Sequence, residues 1–198
     1  MITNWLHQEE SKRVPEMPLD EDRLVKIPSC YYVATSADGL IADAMGDGEW
    51  LKPYFDMDYG FHTFMDSVDT VVMGRRTYDR ILRTSKQNPY AGKRFVVLSH
   101  TRSTGPHVDL FWPGRLQSLM LRLEAMGSQS LWIVGGGSAA GAFLEAGLLG
   151  EIQQFMVPLA LGAGTPLFGP LRQPASFRLK ESQSFPNGVL RLRYVPAE

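Results

Sequence analysis

The chain has 198 residues, with 20 Lys and Arg against 21 Asp and Glu and a formal net charge of -1. A length of this order fits one domain that buries roughly 70% of its unfolded surface and needs neither metal nor disulfide to hold a core. The near-neutral balance, with no Lys/Arg-rich run, removes the electrostatic footprint of a general nucleic-acid binder, and the single cysteine, Cys30, can close no internal bridge and reads as a small buried hydrophobe.

Ten charged residues crowd into the first 27 positions together with Pro15 and Pro18, about twice the density of the remainder. We therefore read 1–27 as a charged N-terminal extension and 28–198 as the domain. The extension has no apolar run of the signal-peptide kind. Two long charge-free stretches, 127–144 and 152–171, are interrupted by glycines or prolines and do not read as membrane helices. The expectation is a soluble cytoplasmic protein that engages neither membrane nor nucleic acid.

Residues 30–35 predict a strand ended by the turn Ser36-Ala37-Asp38-Gly39. A loop rich in Gly and Asp leads to Trp50, and Pro53 opens a helix that runs to Ser67. A strand at 69–73, a short helix at 76–82, and strands at 94–98 and 108–111 follow. The segment 115–126 spaces Leu116, Leu119, Met120 and Leu123 as a helix does. Next come a strand at 131–134, a helix at 138–146 and a strand at 151–157. The runs 176–184 and 189–195, joined by Phe185-Pro186-Asn187-Gly188, predict an antiparallel hairpin. Strands alternating with helices make this an α/β fold with a largely parallel sheet, finished by an antiparallel edge.

Three strand ends carry the chemistry. Leu131-Trp132-Ile133-Val134-Gly135-Gly136-Gly137-Ser138-Ala139-Ala140 runs an apolar strand into three glycines and a helix start. The glycines serve either the close approach of an anionic ligand to backbone amides or only tight packing of strand on helix. The acidic residue that a two-sided dinucleotide fold places after the next strand is missing, since 151–157 leads into Pro158-Leu159-Ala160. Thr70-Val71-Val72-Met73-Gly74-Arg75-Arg76-Thr77-Tyr78 repeats the grammar with two arginines, which suit a dianionic phosphate or else form a solvated basic turn. Phe95-Val96-Val97-Leu98-Ser99-His100-Thr101-Arg102 ends a third strand in hydroxyls and bases. Together they describe an extended nucleotide lying across the carboxyl edge of a sheet. No G-K-[ST] follows any of these glycines, no G-x-S-x-G is present, and the four histidines lack metal-ligand spacing, so no metal is expected.

In this order the pieces resemble the dihydrofolate reductase-like superfamily, within it the branch that holds the reductase domain of riboflavin biosynthesis (the RibD C-terminal domain). The residues that carry the resemblance are Thr35-Ser36-Ala37-Asp38-Gly39-Leu40-Ile41-Ala42, Gly48-Glu49-Trp50-Leu51, the Gly74 and Gly135 motifs, and Gly162-Ala163-Gly164-Thr165-Pro166-Leu167-Phe168. The resemblance implies a three-layer domain and a stand-alone reductase that transfers hydride from NADPH. It also implies that Ala34 and Ile41 frame the nicotinamide, and that Gly74 to Thr77 hold the pyrophosphate, with Arg75 or Arg76 on the 2′-phosphate. Leu98, Ser99, His100 and Arg102 would line the adenosine, and Gly135, Gly136, Gly137, Ser138, Ala139 and Ala140 would pass beneath the pyrophosphate and ribose. A homodimer is expected by the same likeness.

Departures bear on the substrate. Dihydrofolate reductases set a carboxylate early on the first helix; that position here is Phe55, with Asp56 beside it. Riboflavin-type reductases read K-x-x-x-S-L-D-G, E-G-G and G-x-G-T-x-x-x-D, where this chain has Tyr32, Val134 and Ile81 in place of the three polar residues. Each charged hydrogen bond so lost is worth about 1.5–3 kcal/mol. Trp50 and Phe55 are expected to line the acceptor pocket and Asp56 to supply the proton. The acceptor is expected to be a small heterocycle, imine or carbonyl, with 5-amino-6-(5-phosphoribosylamino)uracil as the named candidate. The alternative is a non-catalytic NADP(H)-binding protein that keeps only the cofactor cradle.

Overall fold

Parallel pairing organises the structure, a computed structural model in which residues 23–85 and 87–197 are described. In chain order the elements are β1 (Ser29–Thr35), β2 (Leu40–Asp43), a 3-10 helix (Glu49–Tyr54), α1 (Phe61–Ser67), β3 (Thr70–Gly74), α2 (Arg75–Thr84), β4 (Arg94–Leu98) and β5 (Leu110–Trp112). They continue with α3 (Leu116–Ala125), β6 (Leu131–Gly135), α4 (Gly137–Glu145), β7 (Glu151–Met156), β8 (Gly164–Pro166), β9 (Phe177–Ser184) and β10 (Leu190–Pro196). Eight strands form one sheet in the order β5-β4-β3-β6-β1-β7-β10-β9. The first six run parallel, and the hairpin β9–β10 closes the far edge antiparallel, as the sequence predicts.

The central strands are apolar on both faces because helices cover both. On one side, Leu119, Met120 and Leu123 of α3 and Ala140 and Phe143 of α4 pack with Tyr31, Val72, Val96 and Ile133. On the other, Phe64 of α1 and Tyr78 of α2 meet Val71, Met73, Phe95, Val97 and Trp132. Tyr78 is fully buried and sits edge-on to Phe95 and Phe111. This is the expected three-layer arrangement.

The helix expected from Pro53 to Ser67 is not continuous. Pro53 lies inside the 3-10 helix, and α1 starts only at Phe61. Between them Asp58 accepts the Gly60 N–H at 2.7 Å, a local side-chain turn that competes with helix. The structure also adds a two-stranded antiparallel sheet, β2 with β8, where the sequence suggests loops. At four and three residues both strands are too short to show alternation.

Near the start of the described chain, Ile27 is buried, Val25 packs beside it, and Arg23 pairs with Glu124 at 2.8 Å. The rest of the charged extension, 1–22, lies outside the described residues. Cys30 is half-buried, and burial first, then the charge of Glu151, pushes its thiol up to about 12. No helix among the described residues is long and apolar enough to cross a membrane.

The turn after β1 is fixed by Asp38. Ser36 Oγ donates to its carboxylate at 2.5 Å, and the amides of Leu161 and Gly162 donate to it at 3.1 and 2.7 Å. These donors, the serine first, hold the carboxyl down at about 2 from an ordinary 3.8. A depressed carboxyl contributes stability above its unfolded value and loses it as pH falls through its folded one. Asp38→Asn is therefore expected to lower the melting temperature at neutral pH, with the gap to wild type closing as pH drops from above 3.8 to about 2. Melting curves across that range check it; a gap independent of pH would contradict it.

Candidate functional site

Strands paired in parallel end together. Through the ladders Gly74 lies opposite Leu98, Leu98 opposite Trp112, and Met73 opposite Gly135, so β5, β4, β3 and β6 finish side by side. Ala34, near the end of β1, continues the line. A cleft of about 1520 Å³ follows this edge. Small-molecule pockets span roughly 300–1,000 Å³, so the cleft has room for a long ligand with a second one beside it. Its opposite wall is built by Ile41 and Ala42 of β2 and by Gly164 and Thr165 of β8.

Two helices start at this edge, α2 after Gly74 and α4 after Gly136, and neither has a side-chain cap. Apart from the Ala139 amide, which donates to the Gly136 carbonyl at 2.9 Å, the amides that open them and their positive dipole ends suit an anion. Gly135, which ends β6, and Gly137, which starts α4, divide the two tasks that the sequence leaves open. Gly135 adopts φ +136°, a region that favours glycine, and a Cβ there would meet nothing within 4 Å. Gly137 is the reverse: a Cβ would lie 2.4 Å from the Pro166 carbonyl oxygen, so the absent side chain is needed for packing. Gly135 thus leaves bare backbone in the cleft, and Gly137 lets β8 approach α4.

Arginines supply the charge. Arg75 pairs with Asp79 one turn along α2, and Arg102, from the loop after β4, pairs with the other oxygen of the same carboxylate, both at 2.7 Å. Arg102 also lies over the Tyr78 ring, 4.9 Å from its centre. Arg80 donates to the Gly46 carbonyl and to Asp47, at 2.7 Å in the latter case, which ties α2 to the loop after β2. Arg76 is exposed and has no partner among the described residues.

The structure brings most of the expected cofactor set into this one cleft. Ala34, Ile41, Gly74, Arg75, Arg76 and Thr77 line it, as do Leu98, Ser99, His100, Gly135, Gly136, Gly137, Ser138 and Ala139. Arg102 stands behind this lining, on Asp79. Ala140 is fully buried in the core under α4. The acceptor residues are placed differently from the expectation. Trp50 packs into the cluster around Phe155, Val157 and Val189 rather than lining the cleft. Phe55, at the end of the 3-10 helix, is 70% exposed, and Asp56 is exposed in the turn that follows. The interruption of the helix between Tyr54 and Phe61 leaves both in an exposed turn.

Tyr32, which the sequence marks only as the replacement of a lysine, and Leu51 also line the cleft, as do Met45, Arg80, Arg83 and Trp112, which the sequence does not single out. The arginines were findable, because 76, 80 and 83 fall on one stripe of a helix extended past its motif. Trp112 was hidden by ending the fourth strand one residue early. At the β1 end the wall is mainly apolar. Tyr32 stacks on Phe64 at 4.3 Å, and burial raises its phenol well above the ordinary value.

Residues 30–191 match the family described as the RibD C-terminal domain. The chain is 31% identical over 169 residues to the uncharacterized protein YwjB of Bacillus subtilis, covering 84% of this chain and 96% of that one. It superposes on a Shewanella sp. PV-4 protein assigned to riboflavin biosynthesis with a TM-score of 0.78 and 33% identity, covering 87% of this chain and all of the other. A Thermotoga maritima diaminohydroxyphosphoribosylaminopyrimidine deaminase/5-amino-6-(5-phosphoribosylamino)uracil reductase shares the fold at TM-score 0.66 and 18% identity, with 57% of its chain covered.

Two substitutions separate packing from lining. Gly137→Ala is expected to cost about 1–3 kcal/mol of stability through the clash with Pro166, whereas Arg76→Ala should stay within about 0.5 kcal/mol of wild type. Chemical denaturation of the two variants checks this; equal effects would contradict the division.

Proposed function

The chain belongs to the RibD C-terminal domain family, and from that premise we propose that it is an NADPH-dependent reductase that delivers hydride to a small heterocyclic, imine or carbonyl acceptor. One observation carries the proposal: strand ends in register, two uncapped helix starts and a group of arginines open into a single cleft of about 1520 Å³. The fit to a dinucleotide is local as well as overall, because Gly135 leaves open space where any side chain would stand over the backbone.

When bound, NADPH supplies the hydride. The residues of the chain bind and orient. The first turns of α2 and α4 hold the pyrophosphate on their amides, with Gly135 allowing the approach. Arg75 and Arg76 take the 2′-phosphate, and Leu98, Ser99, His100 and Trp112 border the adenosine. Ala34 and Ile41 flank the nicotinamide, and the apolar wall of Tyr32 and Leu51 receives the acceptor and excludes water. 5-Amino-6-(5-phosphoribosylamino)uracil is the first acceptor to test, with Tyr32 standing where riboflavin-type reductases have a lysine. We take the working form to be a cytoplasmic homodimer.

A second reading, cofactor binding without catalysis, draws on the state of the two carboxylates in the cleft lining. Asp43 accepts the Met45 and Asp47 amides, and Asp79 is held by two arginines. The readings separate in one experiment. The reductase is expected to oxidise NADPH when offered the aminouracil, an imine or a ketone, and the double reversal Arg75→Glu/Arg76→Glu should weaken NADPH by about 10- to 100-fold while NADH changes little. Selective binding without turnover of any acceptor would favour the non-catalytic protein. Equal loss of both cofactors would remove the 2′-phosphate assignment.

A further inference from the structure

We propose that Asp79 is the positioning residue that makes the adenosine end of this cleft select a 2′-phosphorylated dinucleotide, an inference that rests on the NADPH assignment above. Its side chain is the joint between two elements that share no strand. Asp79 Oδ2 accepts from Arg75 Nη1 in the first turn of α2, and Asp79 Oδ1 accepts from Arg102 Nη1 in the loop after β4, each at 2.7 Å. Arg102 is fixed at further points, by donation from Nε to the Thr104 carbonyl at 3.0 Å and by the Tyr78 ring beneath its guanidinium. The same loop is closed by Ser99, whose Oγ accepts the Thr101 and Arg102 amides at 3.2 and 2.9 Å. Ser99, His100 and Thr101 line the cleft beside it. One carboxylate therefore sets both an arginine and the loop that borders it.

Charge explains why this should act on selectivity. Arg75, Arg76 and Arg102 against the single Asp79 leave two uncompensated positive charges, the match for a phosphate dianion. Without the carboxylate, Arg75 and Arg102 would repel each other and lose their fixed rotamers, and both would have to be ordered during binding. A dinucleotide with a plain ribose lacks the dianion that these charges match, so its affinity depends less on their order. An acidic side chain near an adenosine ribose can instead accept the 2′-hydroxyl and favour NADH. Here both carboxylate oxygens are already engaged by arginines, which argues against that role.

The test titrates NADPH and NADH into the full chain as wild type, Asp79→Asn, Arg102→Gln and the double variant, followed by Trp fluorescence. Asp79→Asn is expected to weaken NADPH about tenfold and NADH by no more than about twofold. The double variant should be no weaker than the worse single one, because the two residues act as a unit. Equal loss of both cofactors would reduce Asp79 to a structural brace and overturn the inference, and so would tighter NADPH or weaker NADH alone. A wild type that itself fails to prefer NADPH would overturn the cofactor assignment, whereas a selective wild type with an equally selective variant overturns only the role of Asp79.

Discussion

The register between parallel strands is the constraint on which the rest depends. Hydrogen bonds that set Gly74 against Leu98 and Leu98 against Trp112 bring residues far apart in sequence to one edge of the sheet. Because the strands are parallel, each chain segment leaves that edge in the same direction, and the helices α2 and α4 begin there with their amides facing outward. A one-residue slip would move Val72 and Val96 from one packed layer into the other, exchange them with the larger Met73 and Phe95, and shift the turn residues off the edge. The buried apolar face thus holds the cleft in register as well as stabilising the domain.

Within that frame, the acidic residues mostly serve architecture. Asp38 ties the turn after β1 to the loop that leads to β8 and so erects the wall carrying Ile41 and Thr165. Asp47 caps the amides of Gly48 and Glu49 and receives Arg80, which joins the loop after β2 to α2. Asp58 turns the chain into α1. The positive charge of α2 is in this way partly committed to holding loops, and partly left at Arg76 for a ligand.

Much of this was legible from the sequence, and the exceptions have physical causes. The alternation of strands and helices and the three glycine- or hydroxyl-bearing strand ends depend on local patterns, and they reappear in the structure with boundaries shifted by a residue or two. The expectation for Phe55 and Asp56 rests on likeness to the carboxylate position on the first helix of dihydrofolate reductases, which needs a helix running on from Pro53. The 3-10 helix stops at Tyr54, and Phe55 and Asp56 lie exposed in the turn that precedes α1. Tyr32 shows the opposite case. Its place in the lining follows from the side of β1 it shares with Ala34, a fact of strand alternation that the sequence contains but that gains meaning only once the sheet order is known. The dual use of the glycine run was beyond the sequence, since only the closeness of Pro166 to Gly137 separates packing from ligand approach.

The most direct measurement is a crystal structure of the protein grown with NADP+. A pyrophosphate is expected on the amides that open α2 and α4, backed by Gly135, with the 2′-phosphate at Arg75 and Arg76 and the nicotinamide against Ala34. A dinucleotide bound elsewhere, or a cleft that stays free of it at saturating concentration, would contradict a cofactor site at this edge of the sheet.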